Sequence, residues 1–226
     1  FNDHTRCADL AAELATDHTV ILYDRRGRGE SGDTAPYAIE REVEDLAALV
    51  ALCPAPVTVF GYSSGAQLAL LAAASGVSFD RLVMFEPPYR FGSPVDVSAP
   101  GRLAELVAAG RPDDAVAQFQ TEMIGLPAEV VAHIRQSPMW PALVAMAPSM
   151  IHDATLSTTL AVPTADMLTV TMPSLIVYGA DTWPVLRDAA HELAKLMPAA
   201  RLVEVDAANH DIPTAETAAA LRAMAA

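Results

Sequence analysis

Cysteine is scarce in this chain. Its 226 residues hold two, Cys7 and Cys53, with neither the spacing of a metal site nor the pattern of a disulfide framework. A reducing compartment is therefore expected. Positive charge is scarce as well: 14 Lys and Arg stand against 28 Asp and Glu, a formal net charge of −14. Nucleic acid needs a basic face, so that partner class is excluded, and anionic membrane surfaces are disfavoured. No apolar run is long enough to span a bilayer. The first residues carry neither the basic start nor the apolar stretch of a signal peptide. A soluble, cytoplasmic protein is the expectation. The hydrophobic content of 52% suffices for one α/β domain with a sizeable core and an insertion.

The most informative stretch is Val57-Thr58-Val59-Phe60-Gly61-Tyr62-Ser63-Ser64-Gly65. A β-branched apolar run leads directly into Gly-x-Ser-x-Gly, and an Ala/Leu-rich helix is expected over 66–74. In that strand–turn–helix context the pentapeptide reads as a nucleophile elbow. The turn forces the serine into a strained backbone, with Gly61 and Gly65 expected to supply room. Ser63 would then stand above the sheet edge. The N–H of Ser64, opening the helix, would point where an oxyanion forms.

Around this stretch the pattern is α/β. A helix is expected over 5–15, and Thr19-Val20-Ile21-Leu22-Tyr23-Asp24 reads as a buried parallel strand. Next comes a literal G-x-G-x-x-G at Gly27, Gly29 and Gly32. A dinucleotide site needs that loop to open a helix directly, and Asp33-Thr34-Ala35-Pro36 intervenes, so a structural loop is expected instead. An amphipathic helix follows over 37–52. Further strands are expected at 79–85, 174–179 and 201–206, with helices over 185–197 and 215–225. Between residues 89 and 171 no strand is convincing, and proline-separated helical stretches dominate. The domain reading is thus a core of 1–88 and 172–226, with a helical cap insertion at 89–171.

A serine nucleophile needs a base, and the base needs a carboxylate to fix its tautomer. His210 lies in the loop after the last expected strand; the other five histidines have no such placement. Glu86 and Asp181 each follow a strand end, and either gives the chain order Ser, acid, His. Asp153, inside the insertion, is a weaker third candidate.

With these residues the chain resembles the α/β-hydrolase superfamily. The likeness is carried by Asp24-Arg25-Arg26-Gly27-Arg28-Gly29-Glu30-Ser31-Gly32, Gly61-Tyr62-Ser63-Ser64-Gly65, Phe85-Glu86-Pro87-Pro88, Gly179-Ala180-Asp181 and His210. It implies a mostly parallel sheet, flanking helices and a helical cap. It further implies a serine hydrolase acting on an ester or similar acyl bond through an acyl-enzyme. The substrate would be a small molecule, and no cofactor or metal is expected. An acyltransferase or lyase on the same fold, or a non-catalytic binding protein, is the alternative. The family's usual acid position falls on Thr182, one residue after Asp181, and some relatives take the acid from the position of Glu86. The choice between Glu86 and Asp181 stays open at this stage. The superfamily also starts with more strands and a loop giving a second oxyanion N–H. Phe1-Asn2-Asp3 resembles the tail of that loop, so a chain starting inside its fold is expected.

Overall fold

A computed structural model describes residues 2–225; Phe1, part of the expected loop tail, lies outside them. The chain divides into two compact units.

One unit combines His4–Tyr23, Ala38–Pro94 and the chain from Leu160 onward. It starts with a 3-10 turn, His4–Cys7, that runs into α1 (Ala8–Leu14). After α2 (Ile39–Val50) come β1 (Thr58–Tyr62), α3 (Ser64–Ala74) and β2 (Arg81–Phe85).

The other unit holds the loop Asp24–Tyr37 and the helical stretch Val95–Thr159. Its helices are α4 (Ala99–Ala108), α5 (Pro112–Gln118), α6 (Ala128–Arg135), α7 (Trp140–Ala145) and α8 (Ala147–Thr159). A π-helical turn, Phe119–Ile124, continues α5 and ends at Gly125 in a left-handed conformation, φ 86°. Leu103, Val116, Phe119, Trp140 and Met150 form this unit's apolar core. The loop is tied down by charge. Arg25 and Arg28 both donate to Asp153 Oδ1, at 3.2 and 2.6 Å, and all three side chains are at most 10% exposed.

The first unit resumes with α9 (Ala165–Leu168), β3 (Ser174–Asp181), α10 (Pro184–Leu196), β4 (Ala200–Ala208) and α11 (Thr214–Ala225). The four strands make one parallel sheet in the order β1-β2-β3-β4. Alternation along the strands sends Val83, Phe85, Leu175, Val177 and Val205 to one face, where Leu10 of α1 and Ala218 and Leu221 of α11 cover them. Leu82, Met84 and Ile176, between those positions, are fully buried too. The central strands are thus covered on both faces, as parallel strands require. On the periphery Arg222 of α11 pairs with Glu13 and Asp17, at 2.9 Å each, closing α11 onto the end of α1.

The α/β class and the parallel sheet are as the sequence implies. One strand is not. Residues 19–24 join no ladder, and Ile21 and Leu22 are 44% and 39% exposed. Apolar β-branched residues make a segment competent for a sheet. A strand exists only where a neighbour offers N–H and C=O groups in register, and among the described residues none does so here. None of the described helices is long and apolar enough to cross a membrane.

Candidate active site

The site is assembled at the carboxyl end of the sheet, entirely within the unit that carries it. The last β1–β2 pair is Tyr62 with Phe85, so Ser63 and Glu86 are the next residues on two adjacent strands. Ser63 donates its backbone N–H to Phe85 O at 2.9 Å, which holds the turn to the sheet. Its backbone lies at φ 54°, ψ −124°, and α3 starts at the next residue. Ser63 is half-buried.

The room for this turn comes from one glycine. A Cβ on Gly61 would fall 2.4 Å from Gly65 O and 2.6 Å from Ala66 Cα, so only glycine lets the strand lie against the start of the helix. Gly65 was expected to share that role and does not: a Cβ there would meet nothing within 4 Å.

Four non-glycine residues have positive φ among the described residues: Ser63, Glu86, Asn209 and His210. All four lie at this one edge. Positive φ costs an L-residue roughly 1–3 kcal/mol, so such residues persist where the surroundings over-determine them, and they cluster at functional sites.

His210 follows β4 at φ 66°, and its Nδ1 is hydrogen-bonded to Glu86 Oε2. The Glu86 side chain has no exposure and that of His210 is 13% exposed. Glu86 Oε1 accepts from the Gly179 N–H at 2.8 Å, so both carboxylate oxygens are engaged and their direction is set. A carboxylate on Nδ1 selects the tautomer in which Nε2 is the free basic nitrogen. Among the described residues Ser63 Oγ makes no hydrogen bond to that nitrogen.

Asp181 is not brought to His210. A register shift lies between Gly179 and Asp181, so that Gly179 pairs with Val205 but Asp181 with Ala208. The extra residue on β4 lets the strand bend, and Asp181 is exposed with its carbonyl, not its carboxylate, accepting from Asn209 N at 3.4 Å. Asp153 is engaged by Arg25 and Arg28 in its own unit. Ser64 occupies the first position of α3, directly after Ser63.

Sequence reasoning missed three neighbours of His210. The Tyr62 ring stacks on the imidazole with centroids 4.6 Å apart and planes 23° off parallel. Trp183, the residue before α10, places its ring 5.5 Å away. The Tyr62 hydroxyl donates to the His210 carbonyl at 2.6 Å, and Arg6 Nη2 donates to the same oxygen at 2.9 Å. Burial pushes the Tyr62 phenol up to about 12, despite the opposing pull of Arg6, so it stays a donor at neutral pH. Tyr62 was readable as the variable residue of Gly-x-Ser; Arg6 carried no signal at all.

A model of the alpha/beta hydrolase family matches residues 3–224. The chain belongs to that family, whose members support a hydrolase-type function. It is 42% identical to an alpha/beta hydrolase from Sphaerobacter thermophilus, with TM-score 0.91 over 100% of this chain and 89% of that one. It shares 23% identity and TM-score 0.71 with a thermophilic esterase from Thermogutta terrifontis, covering 98% of this chain and 84% of that chain. An enol-lactonase from Burkholderia xenovorans is 23% identical with TM-score 0.62, over 99% of this chain and 85% of the other. These last two share the fold. No curated protein matches the sequence.

Proposed function

We propose that the protein is a serine hydrolase that cleaves an ester or similar acyl bond through an acyl-enzyme. The observation that carries this reading is the buried Glu86–His210 pair at the same strained edge as Ser63. Ser63 Oγ attacks the acyl carbon and passes its proton to His210 Nε2. Glu86 accepts from Nδ1–H and stabilises the imidazolium. The oxyanion is met by the Ser64 N–H at the start of α3. When the intermediate collapses, the bond to the leaving group breaks and that group takes the proton from Nε2. A water then attacks the acyl carbon, gives a proton to Nε2, and Ser63 departs with it as the free hydroxyl. Acyl groups and protons alone are moved in these steps. The esterase and enol-lactonase that share the fold act, by their names, on bonds of this class. In this reading the helical stretch 89–171 serves as the cap that selects the substrate, a small molecule with an apolar acyl or alcohol part.

Labelling by a fluorophosphonate, read by intact mass, tests the proposal. One adduct is expected, absent in Ser63→Ala. Glu86→Gln is expected to slow labelling by about 10³–10⁴-fold, the scale of losing a triad carboxylate. Asp181→Asn is expected to label as the parent does. A folded chain that takes no adduct sinks the enzyme reading and leaves a binding protein on a hydrolase fold. Equal slowing by the two acid variants would remove Glu86 from its role.

A further inference from the structure

His210 carries its imidazole on a backbone at positive φ. Asn209 and His210 are consecutive non-glycine residues at φ 54° and 66°. A pair of non-glycine residues at positive φ persists only where its surroundings over-determine it. Glu86 holds the ring, through Nδ1. The main-chain carbonyl of His210 accepts two hydrogen bonds from distant parts of the chain: Tyr62 Oη at 2.6 Å and Arg6 Nη2 at 2.9 Å. The two donors are themselves joined. Arg6 lies over the Tyr62 ring at 5.3 Å and reaches its hydroxyl at 3.4 Å. Arg6 also pairs with Asp211 at 2.8 Å, gripping the residue on the other side of His210.

We infer that Arg6 and Tyr62 are positioning residues, a two-donor clamp on the His210 carbonyl that holds the imidazole in line between Glu86 and Ser63. The inference rests on the reading of His210 as the base. Its physics is independent of the substrate. Hydrogen bonds to both lone pairs of that carbonyl hold the peptide plane after His210, which restricts its ψ and the point from which the imidazole projects. Tyr62 adds a second constraint through its ring, which lies along the imidazole. The position before the nucleophile thus acts on the base rather than on the serine. Asp211, half of the grip on Arg6, has a side chain 67% exposed, so its ion pair is the weakest link of the set.

Two measurements test the clamp on the full chain. The first is the fluorophosphonate labelling rate against pH for the parent, Tyr62→Phe, Arg6→Gln and the double variant. Tyr62→Phe keeps the ring and removes one oxygen. Each single variant is expected to slow labelling by about 3- to 10-fold, the scale of one hydrogen bond. The double variant is expected to fall short of the product of the two, because both donors hold one oxygen. Each variant is also expected to move the acidic limb of the rate–pH profile, which a loss of stability alone would not do. The second is the downfield proton resonance of a histidine Nδ1–H bonded to a carboxylate, recorded in Ser63→Ala so that chemistry plays no part. It is expected to be present in Ser63→Ala and broadened or lost when Arg6→Gln and Tyr62→Phe are added. Parental rates with an unmoved pH profile overturn the clamp, and so does a resonance that survives both substitutions. If the parent takes no adduct, the proposed hydrolase fails while the resonance still decides the clamp. If Arg6→Gln does not fold, Tyr62→Phe carries the test alone, with the same two outcomes.

Discussion

Two histidines of this chain keep nearly the same chemical company. His152 stacks on Tyr37, centroids 4.0 Å apart and planes 6° off parallel, with Asp33 Oδ2 at 3.4 Å from its Nε2. His210 stacks on Tyr62 and bonds Glu86. What separates them is the backbone and the carboxylate. His152 sits inside α8, on regular helix in the unit without the sheet. His210 sits at positive φ past a strand end. The Asp33 side chain is 40% exposed, so water competes for it; that of Glu86 has no exposure, and the Gly179 N–H orients it. A histidine, a tyrosine and a carboxylate therefore make an ordinary packed cluster in one place. In the other they make a candidate for catalysis, because a sheet edge fixes the carboxylate and puts a serine on the adjacent strand.

The comparison breaks most decisively by exchange of the two histidines for alanine. His210→Ala is expected to cut fluorophosphonate labelling by about 10³-fold or more. His152→Ala is expected to leave it within about threefold, since it removes packing rather than a base. A loss at His152 comparable to that at His210 would collapse the distinction.

The next effect concerns stability. Asp153 is 4% exposed and is met by two arginines, so Asp153→Asn leaves buried positive charge without its counterion. A loss of about 3 kcal/mol in unfolding free energy is expected from denaturant titration. Labelling of the surviving folded fraction is expected to continue. Loss of labelling with stability intact would instead return Asp153 to the list of candidate acids.

The smallest effect calibrates the second against an exposed pair. Hydrogen bonding from Arg222, and then from His18, pulls the Asp17 carboxyl down to about 2. A carboxylate lowered on folding stabilises above its unfolded value, near 3.8, and that contribution disappears as pH falls through about 2. Asp17→Asn is expected to lower the melting temperature slightly at neutral pH, with the difference from the parent shrinking as pH falls toward and below about 2 and little left in high salt. A difference that does not shrink as the pH falls would mean that packing, not charge, is what Asp17 contributes.

Much of the sheet was legible because it is written locally. Apolar runs at 81–85 and 174–179 become strands for the reason the sequence suggests, burial on both faces, and the run at 58–62 joins them with alternate residues buried. The strand–turn–helix around Ser63 was legible because a strand, a glycine that cannot bear a Cβ, and a helix lie within one short stretch. The run at 19–24 shows where that logic ends. Its residues are as apolar and β-branched as the others, but a ladder is a property of two segments.

The site divides in the same way. The residue types that a serine nucleophile requires, and their chain order, are determined by the sequence itself: Ser63, then a carboxylate at a strand end, then His210. Which carboxylate reaches the imidazole was decided by tertiary structure alone. A register shift on β4 turns Asp181 outward, while parallel pairing of β1 and β2 sets Glu86 beside Ser63. Arg6 and Tyr62 come to His210 across 204 and 148 residues of chain. Local patterning carries no record of such a meeting, because it is the closing of the sheet and its covering helices that brings those groups to one carbonyl.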